Sequence, residues 1–150
     1  MPENISLSRR ELLAGATAAI ALTGSSLAFA EQDHKHHHSS NPYEATIDAS
    51  LDCLKKGQAC LDHCMLLFKK GDTSVADCAD TVNEMLAMCS TLSKLSSYQS
   101  KHLKAFTKVC IESCKDCLKE CRKHEDKHPE CKACADSCRN CIKQCEKLVA

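Results

Sequence analysis

Fourteen cysteines in a chain of 150 residues follow a helical rhythm, and that rhythm limits the fold more than any other feature. One run places Cys110, Cys114, Cys117 and Cys121, and a second places Cys131, Cys134, Cys138, Cys141 and Cys145. Steps of three and four return a side chain to the same face of an α-helix, so each run forms a stripe of thiols where a helix usually carries its leucines. Cys53, Cys60 and Cys64, then Cys78 and Cys89, extend the habit upstream. A helical chain with such seams packs sulfur at its centre.

The balance of the chain excludes several classes. Twenty basic and twenty acidic side chains leave formal neutrality, there is no Trp, and only 3% of residues are aromatic. A nucleic-acid binder needs a basic patch or stacking platforms, and neither is present. Catalysis by an activated thiol is also unsupported, because no Cys is paired with an orienting His and carboxylate on separate elements.

Residues 1–30 have the pattern of a twin-arginine export signal. Arg9 and Arg10 precede a weakly apolar run from Ala14 to Phe29, and Ala28-Phe29-Ala30 predicts cleavage after Ala30. The run is rich in Ala, Gly, Thr and Ser and is short for a membrane span, so no membrane attachment is expected after cleavage. The mature protein is expected in the periplasm or otherwise outside the cytoplasm. Residues 31–41, with His34, His36, His37 and His38, lack apolar periodicity and read as a flexible arm.

Residues 42–150 read as an all-α, antiparallel up-down-up-down four-helix bundle. Pro42 marks the start of the first helix, which runs to about Lys69 before Gly71 stops it. Asp72 or Thr73 is expected to cap the second, which reaches about Lys94, and Ser97 to Ser100 makes the next turn. The third spans Lys101 to about His124, and Pro129 opens the fourth. Gly57 interrupts the first seam and marks either a place where another backbone approaches or a tolerated gap. Antiparallel threading gathers Ile47, Leu51, Leu92, Leu95, Leu103, Phe106 and Leu148 at one end as a hydrocarbon plug. It gathers His63, Cys64, Cys78, Cys121, His124, His128 and Cys131 at the other, with Met65 nearby. Met85 and Met88 read as core packing.

Thiolates prefer Cu(I), Zn(II) or iron in clusters. A four-Cys Zn(II) site leaves two surplus negative charges, and fourteen Cys would give about three such sites, each needing buried cations to offset it. A monovalent ion bridged by thiolates approaches one metal per sulfur and leaves the core nearly neutral, with room on the order of 14 ions. Cu(I), in multiple ions per chain, fits best. The Gly/Pro loop that wraps an iron–sulfur cubane is missing. A disulfide-stapled exported helical protein is the alternative, although thiols one turn apart on a helix point apart and every bridge would have to run between helices.

Cys60-x3-Cys64, the run from Cys110 to Cys121 and the run from Cys131 to Cys145, together with the twin-arginine leader, resemble the bacterial copper storage protein family. The resemblance covers essentially the whole mature region. It implies a four-helix bundle that assembles into tetramers and stores Cu(I) between cysteine sulfurs along its core. It also implies that copper enters and leaves at one end through His and Met ligands, for buffering or for supply to a copper-accepting protein. Carried over by position, all fourteen Cys are ligands and His63 is the mouth histidine. Relatives often place several Met where Leu67, Lys70 and Val75 stand here, so the Met part of the mouth departs from the family pattern.

Overall fold

A computed structural model of the protein describes residues 41–150, so the expected export signal and nearly all of the His-rich arm lie outside the described residues. Four helices follow one another: α1 Glu44–Lys69, α2 Ala76–Ser97, α3 Leu103–Arg122 and α4 Pro129–Val149. Among the described residues there is no strand, and no helix is long and apolar enough to cross a membrane. Each helix packs on two neighbours, α1 and α3 both lying against α2 and α4, while the diagonal pairs approach only through side chains that reach the central axis. Three contacts fix the directions. Asn41 Nδ2 donates to the carbonyls of Ser96 and Ser97, joining the start of α1 to the end of α2. His63 meets His128, joining the end of α1 to the start of α4, and Cys78 meets Cys121 across α2 and α3. The expected antiparallel bundle is therefore the observed one.

Helix boundaries are set by backbone geometry more than by side-chain caps, since none of the four N-cap residues makes a side-chain capping bond. This corrects the expected cap at Asp72 or Thr73. Asp72 Oδ1 accepts from the Ser74 amide within the turn, and α2 begins later, behind Val75. Pro42 likewise sits in a turn before α1. The C-termini are better defined. Asp72 N donates to Leu67 O and Gly71 N to Phe68 O, with Gly71 at φ +82°, a Schellman turn that satisfies the last carbonyls of α1. The end of α2 repeats it, Ser100 N donating to Leu95 O and Gln99 N to Ser96 O, but the left-handed position there is Gln99 at φ +54°.

The closed end holds Leu92 and Leu103 fully buried, with Ile47, Leu95, Phe106 and Leu148 half-buried. Leu51 is 49% exposed and does not join the plug. It precedes Cys53 by two residues, which is about 200° around the helix from the seam. The plug is also less purely hydrocarbon than expected: Ser50 and Thr107 are buried there, their hydroxyls donating back to Thr46 O and Leu103 O at 2.7 and 2.8 Å. Gly57 is approached closely by side chains and not by the expected backbone. A Cβ there would lie 2.6 Å from Met85 Cε and 2.9 Å from Leu86 Cδ2, so two α2 side chains occupy the gap in the α1 seam.

Replacing Gln99 by Gly removes left-handed strain, and we expect the metal-free protein to gain about 0.5–1 kcal/mol in urea unfolding. Gly71→Ala should lose about 1–2 kcal/mol for the opposite reason. A loss on Gln99→Gly would contradict the turn geometry.

Candidate metal centre

All fourteen cysteines are free and no more than 1% exposed. Sulfur recurs along the seams of α3 and α4 and along the second half of α1, whereas α2 contributes Cys78 and Cys89 separated by Val82 and Met85. One group takes a sulfur from every helix: Cys53, Cys89, Cys114 and Cys141 lie within 4.8 Å of one another. Toward the mouth follow three further groups, Cys117/Cys134/Cys138, then Cys60/Cys121/Cys134, then Cys60/Cys64/Cys78. Cys134 belongs to two of these and Cys60 to two, so the groups share members and run on as a column. Cys138 and the quartet's Cys114 and Cys53 influence one another's proton affinity, which places Cys138 next to the quartet and ties the column to it. Beyond the quartet, Cys110 and Cys145 extend it toward the closed end, with Cys141 and Cys145 at 3.9 Å.

Neighbouring sulfurs stand too far apart for cystines and about as far apart as ligands of a shared ion. The pairs Cys60–Cys131 and Cys117–Cys134 are 3.7 Å apart, Cys89–Cys114 is 3.8 Å and Cys60–Cys78 is 3.9 Å. A disulfide bond is about 2.05 Å. Two sulfurs bound at about 2.3 Å to one tetrahedral ion are roughly 3.8 Å apart. The closest pair, Cys78–Cys121 at 3.4 Å, lies next to the mouth.

Hydrogen bonding between the sulfurs pulls their proton affinities apart, raising some and lowering others. Cys121 and then Cys131 push the Cys60 thiol far above the ordinary 9.0, and Cys121 and Cys134 do the same to Cys117. Burial raises Cys64. Cys114 and Cys138 bring Cys53 down to about 5, and Cys117 brings Cys134 down to about 6. Cys60 and then Cys78 lower Cys131 to about 3.

The mouth contains His63, His124 and His128, as the threading required. His63 Nε2 and His128 Nδ1 are 2.9 Å apart, and the His124 and His128 ring centroids are 6.4 Å apart. Met65 is 43% exposed on the outside of α1, and Met85 packs over Gly57. One member of this end was absent from the sequence reading. Glu130, in the first turn of α4, brings Oε2 to 3.6 Å from His63 Nδ1. The available signal was its position between Pro129 and Cys131 at the end where the histidines gather.

The profile of the family described as copper storage protein matches residues 28–150. The chain belongs to the copper storage protein family. Among solved structures of copper storage proteins, metal-free Csp3 from Bacillus subtilis is similar at a TM-score of 0.64 and 30% identity, covering 72% of this chain and 99% of that one. The Cu(I)-bound copper storage protein BsCsp3 gives the same TM-score at 29% identity, covering 72% and 98%. A curated relative, the uncharacterized cysteine-rich protein YhjQ of Bacillus subtilis strain 168, is 31% identical over 90 residues, which is 60% of this chain and 80% of the relative.

For this copper storage family member the thiols predict a pH dependence. Cys60, Cys64, Cys78, Cys89, Cys110, Cys114, Cys117, Cys138 and Cys145 are all raised. A raised thiol contributes stability that is complete below the unfolded value near 9 and is lost as pH climbs above it, because the unfolded chain then sheds protons that the folded core retains. The lowered group, such as Cys53 and Cys134, contributes stability that is lost as pH falls through about 5 to 6. The urea midpoint of the reduced, metal-free protein should therefore fall between pH 9 and 11. A flat midpoint across that range would contradict the assignment of protons to these sulfurs.

Proposed function

We propose that this protein stores multiple Cu(I) ions on the thiolates lining its core, with all fourteen Cys as ligands and copper entering and leaving at the His/Cys-lined end. The observation that carries this reading is the continuous column of fourteen buried free thiols in a member of the copper storage protein family. Charge favours the monovalent ion. Among the described residues the buried polar side chains are Ser and Thr only, with no Lys or Arg inside to offset a dianionic zinc tetrathiolate. One Cu(I) per thiolate leaves the interior neutral. An ion bound at a raised thiol displaces its proton, so uptake weakens as pH falls. The likeness to a Cu(I)-bound copper storage protein supports the choice of cargo.

Storage is a non-enzymatic role on this reading, serving as a buffer or as a supply to a copper-accepting protein. The leader around Arg9 and Arg10 sends the folded chain out by the twin-arginine route, and the mature protein assembles into tetramers. Exposed Leu51, Met65 and Leu66 on the outer side of α1 supply apolar surface for that association.

Anaerobic titration of the reduced protein with Cu(I), followed by metal analysis after gel filtration, should saturate on the order of 14 ions per chain by the charge argument. Saturation at three or four would indicate isolated tetrahedral sites. His63→Ala should slow uptake and removal while total capacity stays within about one ion, since it alters the mouth and leaves the column intact. Replacing Arg9 and Arg10 together by Lys should abolish export and leave the uncleaved precursor in the cytoplasm, whereas the parent chain should yield a mature form beginning at Glu31 by mass spectrometry.

A further inference from the structure

Glu130 Oε2 is buried and has no hydrogen-bond partner, which is an unusual condition for a carboxylate oxygen. The group nearest to relieving it is His63 Nδ1 at 3.6 Å, and a shift of about half an ångström completes that hydrogen bond. On the far side of the same ring, His63 Nε2 is already at hydrogen-bonding distance, 2.9 Å, from His128 Nδ1. The three side chains form a line: carboxylate, imidazole, imidazole.

A neutral imidazole has one N–H and one bare nitrogen, so the direction of one hydrogen bond in this line dictates the next. If His63 carried its proton on Nε2, its bare Nδ1 would face the bare Glu130 oxygen, leaving a buried acceptor opposed by a second lone pair. With the proton on Nδ1, His63 donates to Glu130 and its Nε2 accepts from His128 Nδ1–H. His128 Nε2 is then the bare nitrogen. We propose that Glu130 is the positioning residue of the mouth: by accepting the His63 Nδ1 proton it sets the tautomers of both histidines and leaves His128 Nε2 as the atom that first captures an incoming cation.

The backbone supports that role for His128. It is the N-cap of α4, its amide donates to His124 O at 3.0 Å and its carbonyl accepts from Lys132 N at 3.2 Å, so the ring is carried on a fixed base. Spacing separates the two histidine pairs by function. Imidazoles sharing one ion at a metal–nitrogen distance of about 2.0 Å have centroids roughly 5 to 6.5 Å apart. His124 and His128, at 6.4 Å, fall in that range. His63 and His128, at 4.8 Å with their nitrogens in hydrogen-bond contact, are too close to share an ion. The ion concerned is the Cu(I) of the proposed storage function, on which the kinetic half of this inference rests.

The test begins without copper. Long-range proton–nitrogen-15 NMR of the reduced, metal-free, full-length protein should show His63 and His128 both protonated on Nδ1, and Glu130→Leu should release His63 from that tautomer. In stopped-flow uptake of Cu(I), Glu130→Leu and His128→Ala should each be slower by about tenfold, with final capacity within about one ion of the parent. Glu130→Gln keeps a carbonyl acceptor and should restore most of the rate. A proton on His63 Nε2 in the parent protein, or tautomers unmoved by Glu130→Leu, would overturn the relay; if Glu130→Leu fails to fold, the parent tautomers decide alone. A protein that takes up no Cu(I) would refute the storage reading, while the tautomers would still decide the relay.

Discussion

A buried thiol is tolerable only when it is neutral or when its charge is cancelled at close range, and this structure is organised around that requirement. The inner faces of α3, α4 and the second half of α1 carry sulfur at every turn or nearly so, and each Cys supplies little hydrocarbon for its volume. Hydrophobic mass has to come from elsewhere. It comes mainly from α2 and its N-cap, where Val75, Val82, Met85 and Leu92 are fully buried, and from the contact in which Met85 and Leu86 fill the space left by Gly57. The α1–α2 half of the bundle thus provides much of the packing, and the α3–α4 half provides nine of the fourteen thiols. A core divided in this way can fold empty, because its protonated sulfurs behave as small apolar groups against a hydrocarbon flank.

The same requirement makes the long axis directional. At the closed end Leu92 and Leu103 stop the column, and the hydroxyls of Ser50 and Thr107 turn back to their own helices and present no open ligand. At the other end the column meets three half-buried imidazoles and a carboxylate, in the turn between α3 and α4 and beside the last turns of α1. On the proposed reading, an ion that must exchange water for sulfur meets nitrogen ligands at this end and thiols behind them. The closest sulfur pair, Cys78 and Cys121, lies just inside that boundary.

Much of this was legible in the sequence because the three-and-four spacing of Cys is itself a helix phase. Once α3 and α4 are phased by Cys110 to Cys121 and Cys131 to Cys145, short connections leave an antiparallel bundle as the economical arrangement. What escaped was local or tertiary. Capping preferences suggested Asp72 or Thr73 for α2, but Asp72 spends its side chain on the Ser74 amide within the turn. Leu51 was assigned to the plug by its height along α1, and its angle around the helix places it outside. Gln99 in a left-handed C-terminal turn carries no residue signal, since Gly or Asn is the expected occupant. Glu130 reads in the sequence as an ordinary acid in a first helical turn, favoured by the helix dipole. Its contact with His63 spans α1 and α4, and no local pattern encodes such a pair.

On the proposed reading, neutrality also explains how one fold can serve both the empty and the loaded protein. Each Cu(I) that binds at one of the nine raised thiols replaces a proton with an ion of the same charge, and each that binds at a lowered one cancels a thiolate, so filling builds up no positive charge. A divalent ion on the Cys53/Cys89/Cys114/Cys141 quartet would instead leave a buried dianion that no inward-facing Lys or Arg among the described residues could offset. Filling need not be accompanied by a rearrangement of the helices, because no growing charge has to be screened. Control then falls to the mouth, where the rate of exchange depends on which ring nitrogens are bare, while capacity is fixed by the number of sulfurs behind them.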